Sequence, residues 1–429
     1  MKIFDQIDLQ IRTKIDGLFT IGVDKIGEAY LASDADLNDD TQYEWQSILN
    51  GVLSLSLRRG VDTYTGAYAL PIVNVGSLHV RSTNQLLDPV HNKYLQPKSK
   101  IRLILKGVTP VTIFQGRVDN IFIDYRSDQQ KPLISFDVMD PVADLQGTMT
   151  QLSGISTSAS HTWSERINEI LSNGGRTESA GTKQLVRNIY GGSTTHGFWD
   201  DNRTIWEALT LASNTEGGFI YFDKDNALNC YASEEIPDNE PTMLFSNINP
   251  EAVNYGFKNI SVDYNTASII NEVQVSNSWG YTKSVLTQEE DPELYYPEGK
   301  WVTVTEIKTE AEGPYRDQAS INKHGTHALN LDTNFNLSGG KEELVTWANR
   351  IINKWKNPST LVKEIEWNAK NDILNAAGMD ILESVNIEYQ TENTGFTTEL
   401  TVIGIQMEID ADQDTWRVKY ILFPRSRFI

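Results

Sequence analysis

Leu53, Leu55 and Leu57 alternate with Ser54, Ser56 and Arg58, the two-residue period of a strand with one buried face, and this predicts a strand over 48–59. Strand signals recur at short spacing from 78 to 138, separated by Pro, Asn and Gly clusters, which predicts a small antiparallel barrel or sandwich. Gly116 interrupts the long run TIFQGRVDNIFIDY and marks a bulge or bend, the device that lets a sheet curl. The period then changes. Thr162-Trp-Ser-Glu165 and Thr204-Ile-Trp-Glu207 both fit the capping box that opens a helix. Trp163, Ile167, Ile170 and Leu171 form one apolar stripe, and Ile205, Ala208, Leu209 and Ala212 form another. The helices stop at Asn173-Gly174-Gly175 and Gly217-Gly218. FIYFDKDNALNCYA reads as a hairpin around Asp225-Asn226, and the polar run 233–241 as a boundary.

Strands return in NISVDY, SIINEVQVSNS and WVTVTEIKT, with a long acidic loop, TQEEDPELYYPEGK, between the last two. A third helix is predicted at 341–356 from Leu344, Ala348, Ile351, Ile352 and Trp355, stopped by Asn357-Pro358. LVKEIEWN, SVNIEYQ, TTELTVIGIQMEI and TWRVKYILF complete the chain as strands, the last two flanking the turn DADQD. FQGRVDNIFI and VIGIQMEI each carry a glycine-kinked strand late in a β-rich block, an echo that two similarly built barrels would explain. The expected class is α+β, mainly β: two small antiparallel β-barrels, an α+β middle domain and a further helix-containing domain. The expected divisions are 1–150 for the first barrel with its N-terminal extension and 151–240 for the middle domain. Residues 241–340 start the second barrel and carry the acidic loop, and 341–429 complete it with a helix and strands.

Size and charge narrow the function. A chain of 429 residues exceeds the usual single domain. A net charge of −21 argues against wrapping duplex DNA through phosphate contacts; it suits a conduit along which DNA slides without sticking, and equally many ordinary soluble proteins, so alone it decides little. Cys230 stands alone, so no intrachain disulfide forms. No apolar h-region opens the chain and no eighteen apolar residues run together, so a soluble, cytoplasmically made product without a membrane span is expected.

Chemistry is sparse. His324 and His327, at i, i+3 spacing, could supply two metal ligands, but no nearby Cys or Glu completes a tetrahedral set, and a solvated loop or helix start is the competing reading. Asp34, Asp36 and Asn38, and again Asp410, Asp412 and Asp414, imitate the opening of a calcium loop and then break its pattern: the first has Asp39 where Gly belongs and Trp45 where the bidentate Glu belongs, the second Thr415 and Ile421. Glu289, Glu290, Asp291, Glu293 and Glu298 could be paired as a glycosidase would pair them, but among 58 acids such neighbours arise by chance. Cys230 lies in an alternating strand and reads as a buried thiol. Trp163, Trp206, Trp347 and Trp355 read as core, whereas Tyr295, Tyr296 and Trp301 in the acidic loop suit a sugar or a partner protein. No catalytic residue, cofactor site or metal site is assigned, and an enzyme is not expected.

The order of signals resembles the tail hub, or minor tail, proteins of long-tailed phages. The N-terminal hub barrel of that family is matched by the alternation from Leu78 to Asp88-Pro89, the loop Leu95-Gln96-Pro97, the strand Ile101 to Leu105, Phe114 to Asp119, and Asp137 to Leu145. This chain has Pro97-Lys98 where the family often has Pro-Gly. The final barrel is matched by Val402, Gly404, Ile405, Trp416, Val418 and Tyr420, and the central domain by the segment from Arg203 to Tyr231. The resemblance implies a homotrimer whose two barrels per subunit make a pseudo-sixfold ring at the tail tip of a virion. That ring joins the sixfold tail tube and distal tail protein to a threefold tip, touches the tape-measure protein and tip or receptor-binding proteins, and lets phage DNA pass its lumen unbound. The hub of a contractile injection particle and a carbohydrate-binding adhesin are the alternatives. A cell-wall hydrolase is disfavoured for want of a catalytic constellation.

Overall fold

A computed structural model describes residues 2–14, 18–19, 30–31, 43–62, 73–90, 95–125, 131–148, 162–173, 187–191, 203–248, 254–264, 268–287, 300–335, 341–358 and 361–428. The first block runs through α1 (Ile3–Gln6), β1 (Ile7–Lys14), the two-residue strands β2 (Leu18–Phe19) and β3 (Tyr30–Leu31), β4 (Tyr43–Ser47), β5 (Val52–Gly60), β6 (Ser77–Ser82), β7 (Lys100–Leu105), β8 (Val111–Asp124), β9 (Leu133–Met139) and α2 (Pro141–Gln146). Alternation sets the faces: Leu78 and Val80 on β6 and Ile134, Phe136 and Val138 on β9 are buried. In β5 the ladder to β6 slips by one residue between Val52 and Ser54. Val52 therefore takes the inward place beside Leu55 and Leu57, and Leu53, expected there, is half-exposed. The expected irregularity near Gly116 falls on both sides of it, at Leu103/Ile104 opposite β8 and between Val118 and Asn120.

An α+β segment follows: α3 (Trp163–Asn173), β10 (Arg187–Tyr190), α4 (Ile205–Glu216), β11 (Phe219–Phe222) and β12 (Leu228–Tyr231). The capping box forms at α4, where the Thr204 hydroxyl accepts from the Glu207 N–H and Glu207 accepts from the Thr204 N–H, and the helix ends on Gly217 at φ 73°. At α3 the Thr162 N–H and hydroxyl both donate to Glu165 at 2.9 Å. Then come β13 (Met243–Ser246), β14 (Asn254–Tyr255), β15 (Asn259–Asp263), the long pair β16 (Glu272–Thr287) and β17 (Lys300–Arg316), α5 (Gln318–His324), β18 (Ala328–Thr333), α6 (Glu342–Trp355), β19 (Leu361–Asn368), α7 (Ile373–Gly378), β20 (Ser384–Gln390), β21 (Gly395–Asp410) and β22 (Thr415–Phe423).

The two β-rich blocks repeat one plan. Neighbours in the first are β5-β6-β9-β8-β7-β1, and in the second β15-β19-β22-β21-β20-β13. Each contains a Greek key, three consecutive antiparallel strands with the preceding strand beside the last. The registers coincide as well. The β8–β9 ladder skips a residue between Val118 and Asn120, and the β21–β22 ladder skips one between Val402 and Gly404. Val118 donates to the Ser99 carbonyl and accepts from Lys98, while Val402 donates to the Glu383 carbonyl and accepts from Leu382. Lys98 and Leu382 both stand at positive φ, 73° and 69°. Lys98/Leu382, Val118/Val402 and Met139/Phe423 keep the same sequence separation throughout. The glycine echo is thereby corrected. Gly404 corresponds to Asn120, and Gly116 to Leu400, because the skipped residues, Asp119 and Ile403, fix the alignment. Only β1 and β13 differ in direction, antiparallel to β7 and parallel to β20.

In place of two closed barrels, the described strands of both blocks join in one 14-stranded sheet, and no ladder among the described residues closes on itself. Both blocks bury one shared apolar cluster, which includes Leu57, Leu78, Phe136, Val138, Trp367, Val385, Trp416 and Tyr420. A second cluster holds α3, α4, β11, β12, the base of β16 and β18, and the apolar face of α6, with Phe423 and Phe428 reaching in from the C-terminus. Trp163, Trp206, Trp347 and Trp355 are all buried in it, as expected. Asn277 fixes the base of the β16–β17 hairpin: it donates to the Phe335 carbonyl and accepts from the Phe335 N–H and the Thr333 hydroxyl. Among the described residues the ladder beyond Asn277 has only two strands, a ribbon of about 30 Å. The acidic segment is its connection.

Candidate assembly interface

Among the described residues, those singled out for chemistry fall at separate places. The Nε2 atom of His327 faces the His324 carbonyl at 3.1 Å, and the His327 backbone N–H donates to Asn271. Asp410 accepts from the Gln413 N–H, and Asp414 accepts from the Ile3 N–H at 2.9 Å and pairs with Lys370 at 2.7 Å. These carboxylates hold a hairpin turn and the N-terminus together. Cys230 is fully buried in β12, and burial pushes its thiol up, away from the thiolate a nucleophile needs. Asp34, Asp36, Asn38, Glu289, Glu290, Asp291, Glu293, Tyr295, Tyr296 and Glu298 lie outside the described residues. Trp301 lies on β17.

The blocks meet where β5 runs antiparallel to the second half of β21. β21 carries β20 and then β5 along one edge and β22 along the other. The backbones cross closely at Gly60 and Gly404. A Cβ on Gly404 would lie 2.0 Å from the Val61 carbonyl oxygen, and Gly60, at φ 76°, faces the Ile403 carbonyl oxygen at 2.4 Å in the same sense. The Val61 N–H donates to that Ile403 carbonyl at 2.9 Å. Arg59, buried beside the crossing, pairs with Asp380 at 2.6 Å. Asp380 also accepts from the Ile381 and Lys224 N–H groups, which ties the β11–β12 turn to the sheet. Nearby Asp140 caps α2 through the Val142 N–H at 3.0 Å. Its burial pushes the carboxyl up to about 7, opposed by the Gly76 and Val142 N–H groups and the Arg59 charge.

Sequence patterns missed this cluster. Asp140-Pro141 is a readable helix start, an N-cap acid followed by proline at the first helical position. Arg59 and Asp380 carry no local signal, since they meet only through tertiary structure.

Among the described residues two unpaired strand edges matter here. β15 pairs only with β19, and its Val262 and the Tyr264 that follows it are 43% and 68% exposed. The β7 ladder on β8 stops at Arg117, which leaves the distal half of β8 with β9 alone and with Phe122 and Tyr125 64% and 60% exposed. Open edges with apolar side chains are templates for strand addition.

No protein-family model matches the sequence, and no curated protein matches it. Solved structures do share the fold. The tail protein from Neisseria meningitidis MC58 superposes with a TM-score of 0.55 at 9% identity, over 97% of this chain and 95% of that one. The 43 kDa tail protein of prophage MuSo2 from Shewanella oneidensis gives 0.56 at 11% identity, over 90% and 97%. The chain is thus similar in fold, over nearly its whole length, to tail proteins.

Proposed function

We propose that this chain is a structural hub of a phage tail tip or baseplate, acting mechanically rather than catalytically. Three copies form a ring that joins the sixfold tail tube and distal tail protein to a threefold tip, meets the tape-measure protein and the tip or receptor-binding proteins, and gates DNA exit. The observation that carries this reading is the internal repeat. Two Greek-key blocks of one plan in each subunit give three subunits six similar blocks, which is what a sixfold-to-threefold adaptor needs. The likeness in fold to tail proteins supports it. The net charge of −21 suits a lumen that DNA traverses without adhering. The β16–β17 ribbon is the surface we assign to a neighbour in the tail, because an isolated two-stranded ribbon gains stability only when something packs on it. Negative-stain electron microscopy of the purified chain is expected to show annular particles with a central lumen. A monomer that binds glycans tightly would overturn the hub in favour of an adhesin.

A further inference from the structure

The repeat allows the internal joint to be transposed onto the two open edges. β5 corresponds to β15: Leu55 reaches Phe136 through Val80, and Ile260 reaches Tyr420 through Ile365. The distal half of β21 corresponds to that of β8 through the shared skipped residue. The covered pair β5–β21 therefore has an uncovered image, β15 with the distal half of β8. Among the described residues no strand of the same chain covers either edge, so a second copy can supply the match.

We infer that β15 of one copy adds antiparallel to the distal half of β8 of the next, and that this ladder is the subunit contact of the assembly. The register follows from the internal joint. Counted along β15 from Ile260, past the bulge that the β19 ladder has between Ser261 and Val262, Leu57 opposite Met407 becomes Val262 opposite Ile123. Arg59 opposite Ile405 becomes Tyr264 opposite Ile121, and Leu55 opposite Ile409 becomes Ile260 opposite Tyr125. At the covered joint Leu57 and Met407 are 2% and 3% exposed, whereas Val262 is 43% exposed. Val262 and Phe122 lie on the two strands that the repeat matches, Tyr264 and Tyr125 directly follow them, and all four are exposed. The contact uses different surfaces on its two sides, so it is head-to-tail and produces a ring when the rotation closes. The copy number, not the contact, rests on the hub reading above.

The test is a double cysteine variant, Val262→Cys with Ile123→Cys, oxidised in the assembled state and then alkylated. Directly opposed antiparallel residues lie about 4.5–5.5 Å apart at Cα, within the disulfide range of about 4.4–6.8 Å. Cys230 is buried and does not compete. The control, Val262→Cys with Asn120→Cys, is displaced by three residues, about 10 Å along the strand, and stays unlinked. Covalent multimers from the first pair alone are the expected result. Assembly by sedimentation without that crosslink overturns the proposed ladder and leaves the ring standing. Crosslinking of the control in preference overturns the register, and a single-copy mass overturns ring and ladder together. Val262→Lys, a surface change that leaves the fold intact, is expected to weaken assembly on the order of tenfold by placing a charge in the edge; unchanged assembly contradicts the ladder.

Discussion

The first strand of one block, β5, is covered by the chain's own β21, while among the described residues its counterpart β15 has no strand on that edge; otherwise the blocks agree in strand order, skipped residue and positive-φ turn. The covered edge has a close glycine crossing and a buried ion pair, and the open one has exposed valine and tyrosine. At Arg59 the covered block has a buried guanidinium paired with Asp380, and at the matching place the open block has Tyr264. One plan thus serves two purposes: the internal copy is fixed by contacts that tolerate no side chain, and the outer copy keeps an edge available.

The covered joint breaks hardest at Gly404. Gly404→Val forces side-chain atoms into the Val61 carbonyl and is expected to cost about 4 kcal/mol or more in urea unfolding. A loss below about 1 kcal/mol would mean that the blocks do not meet there. Arg59→Met strands the Asp380 carboxylate and is expected to cost about 3 kcal/mol. Adding Asp380→Leu should recover part of that loss, and a double-mutant cycle reads the coupling.

Asp140 offers a pH test of the same region. Its raised value means that the fold favours the protonated acid. The stability it contributes is complete below the unfolded value of 3.8 and is lost as pH rises through about 7. Asp140→Asn keeps a capping oxygen. It should match the parent near about pH 4 and exceed it by about 4 kcal/mol near about pH 8. Equal pH profiles would count against a buried carboxyl.

The smallest effects compare the matched turns directly. Lys98 is exposed at φ 73°, closing the turn in which Ser99 donates to Gln96, so Lys98→Gly relieves strain and is expected to stabilise by about 0.5–1 kcal/mol. Leu382 has the same conformation but is buried, so Leu382→Gly is expected to destabilise by about 2 kcal/mol because the lost packing exceeds the relief. Opposite signs at matched positions would sharpen the repeat; equal signs would blur it.

Much of the fold was legible in local pattern. The strands at 361–368, 384–390 and 415–423 and the helix stopped by Gly217 are written in alternation, capping and glycine chemistry, which act over a few residues. The Pro97-Lys98 turn survives without glycine because Lys98 accepts the left-handed conformation. The joint was not legible. The repeat shares geometry more than residues: Gly116 and Gly404 are four positions apart in the matched frame, and only the skipped residues reveal the register. Arg59 and Asp380 sit far apart in the chain, where no periodicity connects them.

The account turns on whether an edge left open in one copy is filled by the next. Sedimentation velocity of the purified chain at micromolar concentration tests this most directly. The account predicts a three-copy mass that in Val262→Lys gives way to a single copy at concentrations about tenfold higher than in the parent, and a single-copy mass for the parent chain at all concentrations would contradict it.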